Sequence, residues 1–118
     1  MKWIKKIVNS FPPQNFEGNW YYWLMNQWGH TTMTYFACIV FGLLSKYAWI
    51  VLLVFWFIWE LRHYVMTKDN LDFIEDLYFE WSGIGLFLLG NNWTAYVGGL
   101  IYITSLITLA IKKRIRWQ

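Results

Sequence analysis

Four apolar stretches, 31–44, 47–64, 73–90 and 93–112, make up most of the chain and are separated only by short polar turns. At 1.5 Å of rise per residue, about 20 helical residues cross the roughly 30 Å hydrocarbon core of a bilayer. Three of the four stretches approach that length, and the first falls short of it. Only 14% of the residues are charged and 58% are hydrophobic, whereas soluble domains carry about 25% charge. A chain of this kind has too little polar surface to wrap a water-soluble core. Aromatic residues form 23% of it, with ten Trp, and Trp and Tyr gather where membrane meets water. The fold class expected is all-α: an integral membrane helical bundle of four transmembrane helices, preceded by an amphipathic interfacial helix.

That leading helix is read from residues 1–11, where Trp3, Ile4, Ile7, Val8 and Phe11 recur at helical spacing opposite Lys2, Lys5, Lys6 and Asn9. A basic amphipathic helix suits an anionic lipid surface, and Pro12–Pro13 ends it. The mixed aromatic and polar residues from 14 to 30 suggest a second interfacial segment. Domain organisation is therefore expected as an amphipathic N-terminal segment at 1–28, the four-helix transmembrane bundle at 29–112 and a basic cytoplasmic tail at 113–118. The start of the chain has no long apolar run and no small-residue cleavage site, so no cleaved signal peptide is expected. Cys38, the single cysteine, lies in an apolar run and reads as a buried apolar side chain.

Charge supports the count of spans. With the N-terminus inside, Lys2, Lys5, Lys6, Arg62, Lys68, Lys112, Lys113, Arg114 and Arg116 all face the cytoplasm, and only Lys46 lies outside. Positive residues accumulate on the cytoplasmic side of membrane proteins. Fusing residues 33–61 into one helix would bury Lys46 near the bilayer centre at a cost of about 2.5 kcal/mol or more. A hairpin at Ser45–Lys46 avoids this, leaving both termini inside a membrane of the bacterial inner-membrane type. Gly83, Gly98 and Gly99 fall in the last two spans, where small residues let helices pack closely.

Against this apolar background, six of the seven acidic residues lie between positions 60 and 83: Glu60, Asp69, Asp72, Glu75, Asp76 and Glu80. Asp72, Asp76, Glu80 and Gly83 follow at helical spacing on one face. Glu60 and His63 share a face of the preceding span, and His30 stands at the start of the first. Asp69 and Glu75 read as solvated charges, and Asp72 as a helix cap. Three helices thus bring ionisable groups to one level, at the cytoplasmic side. Carboxylates at that depth need partners, with His30, His63 and Arg62 as candidates. His30, Glu60, His63, Asp76 and Glu80 form a ligand set able to hold a divalent metal. Glu80, Asp76 and Glu60 are equally the candidates for general acid–base catalysis. A hydrogen-bonded packing clamp accounts for the same residues as well.

These motifs resemble those of VanZ-like membrane proteins and, more closely, the related YfiM-like family. Their pattern is a His-bearing opening of one helix, an acid-bearing end of the next, and an acidic row ending in Gly. "NQWGH" ends at His30, "WELRH" carries Glu60 and His63, and "DLYFEWSG" carries Asp76, Glu80 and Gly83. The match covers roughly residues 26–90, with His63 and Glu80 standing where the family has Asp and with no Lys before Glu60. The resemblance implies a compact helical membrane protein with a shared polar site, without fixing a reaction.

Two classes of function follow. One is a site acting on a lipid or lipid-linked phosphate or glycan at the cytoplasmic leaflet, through a metal or acid–base chemistry. The other is a holin-like, exclusion, inhibitor or accessory membrane protein. It would work by self-association or by docking on a larger membrane complex, with the polar cluster as a clamp. Whether the chain is an enzyme stays open at this point. The expected partners are the bilayer and its anionic lipids. A formal net charge of only +3, with basic clusters beside the spans, argues against nucleic acid. Two histidines read at the interface do not suggest haem.

Overall fold

The computed structural model describes residues 2–9 and 19–117. Among the described residues the secondary structure is helical without strands. The helices are α1 (Lys2–Asn9), α2 (Trp20–Gly42), α3 (Ala48–Thr67), α4 (Asn70–Leu89) and α5 (Trp93–Arg116). α1 lies where the basic amphipathic helix is expected, with Trp3 and Ile4 exposed. Phe11, Pro12–Pro13 and residues 14–18 of the expected second interfacial segment lie outside the described residues, and the rest of that segment, from Trp20, is the first half of α2.

Local chemistry sets the helix ends. Asn19 caps α2 by accepting from the Tyr22 N–H at 3.1 Å, and Asn92 caps α5 by accepting from the Thr94 N–H at 3.0 Å. Such side chains satisfy amide groups that the first helical turn leaves unpaired. The chain turns at Ser45–Lys46, so residues 33–61 are not one helix. Lys68 ends α3 in the left-handed conformation at φ 58°, and Gly90 ends α4 at φ 73°. The polar turn between the last two apolar stretches, Gly90-Asn91-Asn92, therefore stands where those stretches place it.

Two boundaries differ from the sequence expectation. α2 starts at Trp20, so the 28/29 division falls inside a helix. Polar residues in its first half hid that helix, because they face inward. Likewise α5 continues through Arg116, and Lys113 is buried rather than part of a solvated tail.

α2 and α4 form the central pair, and α3 and α5 each pack against both of them. α4 reaches α3 through the Trp81 Nε1–H, which donates to the Leu53 carbonyl at 3.2 Å. It reaches α5 through the Tyr78 hydroxyl, which donates to Ser105 Oγ at 3.1 Å. A small aromatic core joins α2, α4 and α5. Phe79 meets Trp23 edge-on at a centroid distance of 5.8 Å and Tyr102 at 6.0 Å, and Leu106 and Ala110 complete it.

The buried stripe of α2 is Trp23, Gln27, Thr31, Thr34 and Cys38; that of α4 is Glu75, Asp76, Phe79, Glu80, Gly83 and Ile84. Both run at helical spacing, and both are largely polar or small. The apolar residues point outward instead: Val51 and Ile58 on α3, and Leu100 and Ile101 on α5, are all exposed. α3 and α5 are each long and apolar enough to cross a membrane.

Gly83 governs the closest approach. A Cβ there would lie 2.5 Å from the Thr31 carbonyl oxygen and 2.9 Å from Thr34 Cβ. Only the missing side chain lets the two helices meet. Gly98 abuts the Leu89 side chain, whereas Gly99 has nothing near its Cβ position, so the packing role expected for Gly99 is not found. Gly83→Ala should lower stability by about 1–3 kcal/mol through overpacking. Gly85→Ala, at a helical position with open space, should be neutral or stabilising. Thermal unfolding of the two variants in detergent checks this contrast.

Candidate functional site

The α2–α4 seam carries a graded series of polar contacts. At the end formed by the α3–α4 turn, Asp69 caps α4 by accepting from the Asp72 N–H at 3.1 Å. The cap is therefore Asp69 and not Asp72, and Asp69 is not an idle loop charge. One turn further in, Glu75 accepts from the Trp23 indole N–H at 2.9 Å and pairs with Lys113 Nζ at 2.9 Å. Lys113 also lies over the Trp23 and Trp117 rings, at 4.9 and 5.0 Å from their centroids. Glu75, expected on the outer face, is buried in this aromatic and ionic cage. The reason is α5: its C-terminal extension brings Lys113 back against α4.

Next comes Asp76, which accepts from Gln27 Nε2 at 2.6 Å. Thr31 Oγ1 then donates to the Phe79 carbonyl at 2.8 Å, tying α2 to the backbone of α4. Beyond it the seam opens towards α3. There Glu80 and Glu60 are both fully buried, at 0% exposure.

His30 Nδ1 lies 3.6 Å from Glu80 Oε2, and His63 Nδ1 lies 3.5 Å from Glu60 Oε2. One ligand-capable atom each of His30, Glu60 and Glu80 falls within 4.8 Å of the other two. None of the four carboxylate oxygens of Glu60 and Glu80 receives a hydrogen bond of ordinary geometry among the described residues. Such orphaned acceptors are costly, since buried polar atoms are nearly always paired. Trp56 flanks the group, with its ring centroid 6.1 Å from that of His30.

Of the five residues expected as metal ligands, the structure thus groups His30, Glu60 and Glu80. His63 stands behind Glu60, and Asp76 is engaged by Gln27. The depth also differs from expectation. His30 and Glu80 lie halfway along α2 and α4, because α2 begins ten residues before His30. The cluster is an interior centre rather than an interfacial one. Sequence reasoning missed Trp23, Gln27, Thr31 and Lys113. The i, i+4, i+8 row of Trp23, Gln27 and Thr31 was the available signal, obscured by the aromatic residues around it.

A pocket of about 250 Å³ opens at the α3–α4 turn, lined among others by Gln27, Asp69, Asp72, Glu75, Lys113 and Arg116. Asp72 is half-buried at its mouth.

No protein-family model matches the chain, and neither a curated protein nor a solved structure matches it.

Proposed function

We propose that this chain is an integral membrane protein of VanZ-like type. In this reading α2 to α5 cross the bilayer as four spans, with both termini on the cytoplasmic side. The centre formed by His30, Glu60 and Glu80 acts on a lipid-linked phosphate or glycan that reaches it from the cytoplasmic leaflet. One observation carries the reading: two fully buried glutamates from different helices converge with a histidine from a third. Ionisable groups are rare within membrane spans, face the interior when they occur, and mark sites of function.

The distribution of polarity supports four spans. α3 and α5 pass as spans on composition alone. α2 and α4 are 23 and 20 residues long and carry their polar side chains on the faces turned towards each other. Lipid would thus meet the apolar sides of all four helices. In the bilayer the helix ends would place Lys46 on one side, with Lys68 and Arg116 on the other, in keeping with the positive-inside bias.

Chemically, two facing carboxyl groups and an imidazole can take a proton at one atom and return it at another. Glu80, beside His30, is positioned to accept a proton from a bound hydroxyl or water. Glu60, held by His63, faces the same space. The outer contacts, Gln27 to Asp76 and Glu75 to Lys113, serve as the clamp that holds the helices in register.

Two experiments test the reading. In a Cys38→Ala background, Lys46→Cys should react with a membrane-impermeant thiol reagent on intact cells. Lys68→Cys should react only after permeabilisation, and the reverse pattern would sink the topology. Mass spectrometry of lipid-linked phosphates and glycans in expressing cells tests the activity. Wild type should shift those pools, whereas Glu80→Gln and Glu60→Gln, if recovered folded, should leave them at the level of cells without the protein. Equal shifts from wild type and both variants would refute a working centre.

A further inference from the structure

We infer that His30, Glu60 and Glu80 bind a divalent first-row metal ion, zinc or manganese, as a three-ligand centre that leaves coordination positions open for water or a substrate oxygen. The inference rests on the reading of this cluster as the working site and gives it a cofactor.

Donor chemistry comes first. One imidazole nitrogen and two carboxylate oxygens form a mixed N/O set suited to zinc or manganese. Two carboxylates and a neutral imidazole sum to a charge of −2, which a divalent ion cancels. In a low-dielectric interior that neutrality matters, because two unpaired buried carboxylates are expensive. The four orphaned oxygens of Glu60 and Glu80 are the second observation. Buried and without a hydrogen bond of ordinary geometry, one oxygen of each glutamate lies within 4.8 Å of the other and of a His30 ring nitrogen, and each would gain a ligand bond to an ion held between them.

Distances agree with this. Coordination at about 2.0–2.2 Å places ligand atoms roughly 3.3 Å apart. The three atoms already lie within 4.8 Å of one another, so side-chain rotations of under about 1 Å per atom close the set around an ion. Each ligand comes from a different helix, so the ion would bind α2, α3 and α4 together. His63, with Nδ1 3.5 Å from Glu60 Oε2, is a positioning residue that orients one ligand, as outer-shell groups do in metal sites.

The test uses the full chain purified in detergent, stripped with a chelator and titrated separately with Zn²⁺ and Mn²⁺. Elemental analysis and thermal unfolding are the readouts. One of the two ions should bind at one per chain and raise the unfolding temperature, because it binds only the folded state. Glu80→Gln and His30→Ala should each abolish that binding. Asp76→Asn should hold the ion within a few-fold of wild type, which separates a defined centre from general attraction to an acidic stripe. His63→Ala should weaken binding by about 10–100-fold. Folded wild-type protein that takes up neither ion overturns the inference, as does wild-type affinity in Glu80→Gln or His30→Ala. If no ion binds but the glutamine variants still lose the lipid effect, the metal falls and the acid–base reading stands. If the ion binds as expected but lipid pools never change, the metal stands and the assigned activity falls.

Discussion

The contact of α2 with α4 at Gly83 is the constraint from which the rest of the molecule follows. Without a side chain at that position, the backbone of α4 comes against the Thr31 carbonyl and Thr34. That approach allows Thr31 to donate to the Phe79 carbonyl and Gln27 to reach Asp76. It also sets Glu80 beside His30, one turn before the glycine. A larger residue at position 83 would spread the seam and separate groups that are tolerable in the interior only when they meet. The small residues of α2 and the acidic row of α4 are two halves of one device.

The interior that results is unusual in polarity. Its buried residues include Gln27, Glu60, Glu75, Asp76, Glu80 and Lys113, while large apolar side chains cover the outside. In water this arrangement would give up most of the hydrophobic driving force for folding. In lipid, the apolar exterior is satisfied by the solvent, and polar pairs between helices supply specificity. The layers also divide the labour. Near the helix ends, carboxylates are matched by Lys113, Trp23 and Gln27, and the deepest layer keeps carboxylate oxygens without hydrogen bonds of ordinary geometry. A site that binds something is expected where pairing inside the protein is left incomplete.

Much of this was legible in the sequence, and the failures have specific causes. Alternation of apolar runs with polar turns located α3, α4, α5 and both turns beside α4. The four-residue spacing of Asp72, Asp76 and Glu80 with Gly83 identified the buried face of α4. α2 was cut short because Trp23, Gln27 and their neighbours before Thr31 look like an interfacial segment until α4 supplies their partners. The burial of Glu75 was hidden for a related reason. Its partners Trp23 and Lys113 lie 52 and 38 positions away in sequence, and no local pattern encodes that meeting. The selection of Glu80 over Asp76 as a member of the centre likewise depends on Gln27, which occupies Asp76 from across the seam.

The most direct test of the account is the distance between the His30 ring and the Glu80 carboxyl in a lipid bilayer. Solid-state NMR of the full chain with ¹⁵N-labelled histidine and ¹³C-labelled glutamate carboxyls can measure it, with His63→Gln removing the second imidazole. The account predicts strong dipolar coupling between His30 and a glutamate carboxyl, corresponding to the 3.6 Å separation of Nδ1 and Oε2, and its loss in Glu80→Gln. A His30 ring with no carboxyl carbon within about 6 Å, beyond any hydrogen-bonded or metal-bridged contact, would contradict the shared centre and everything assigned to it.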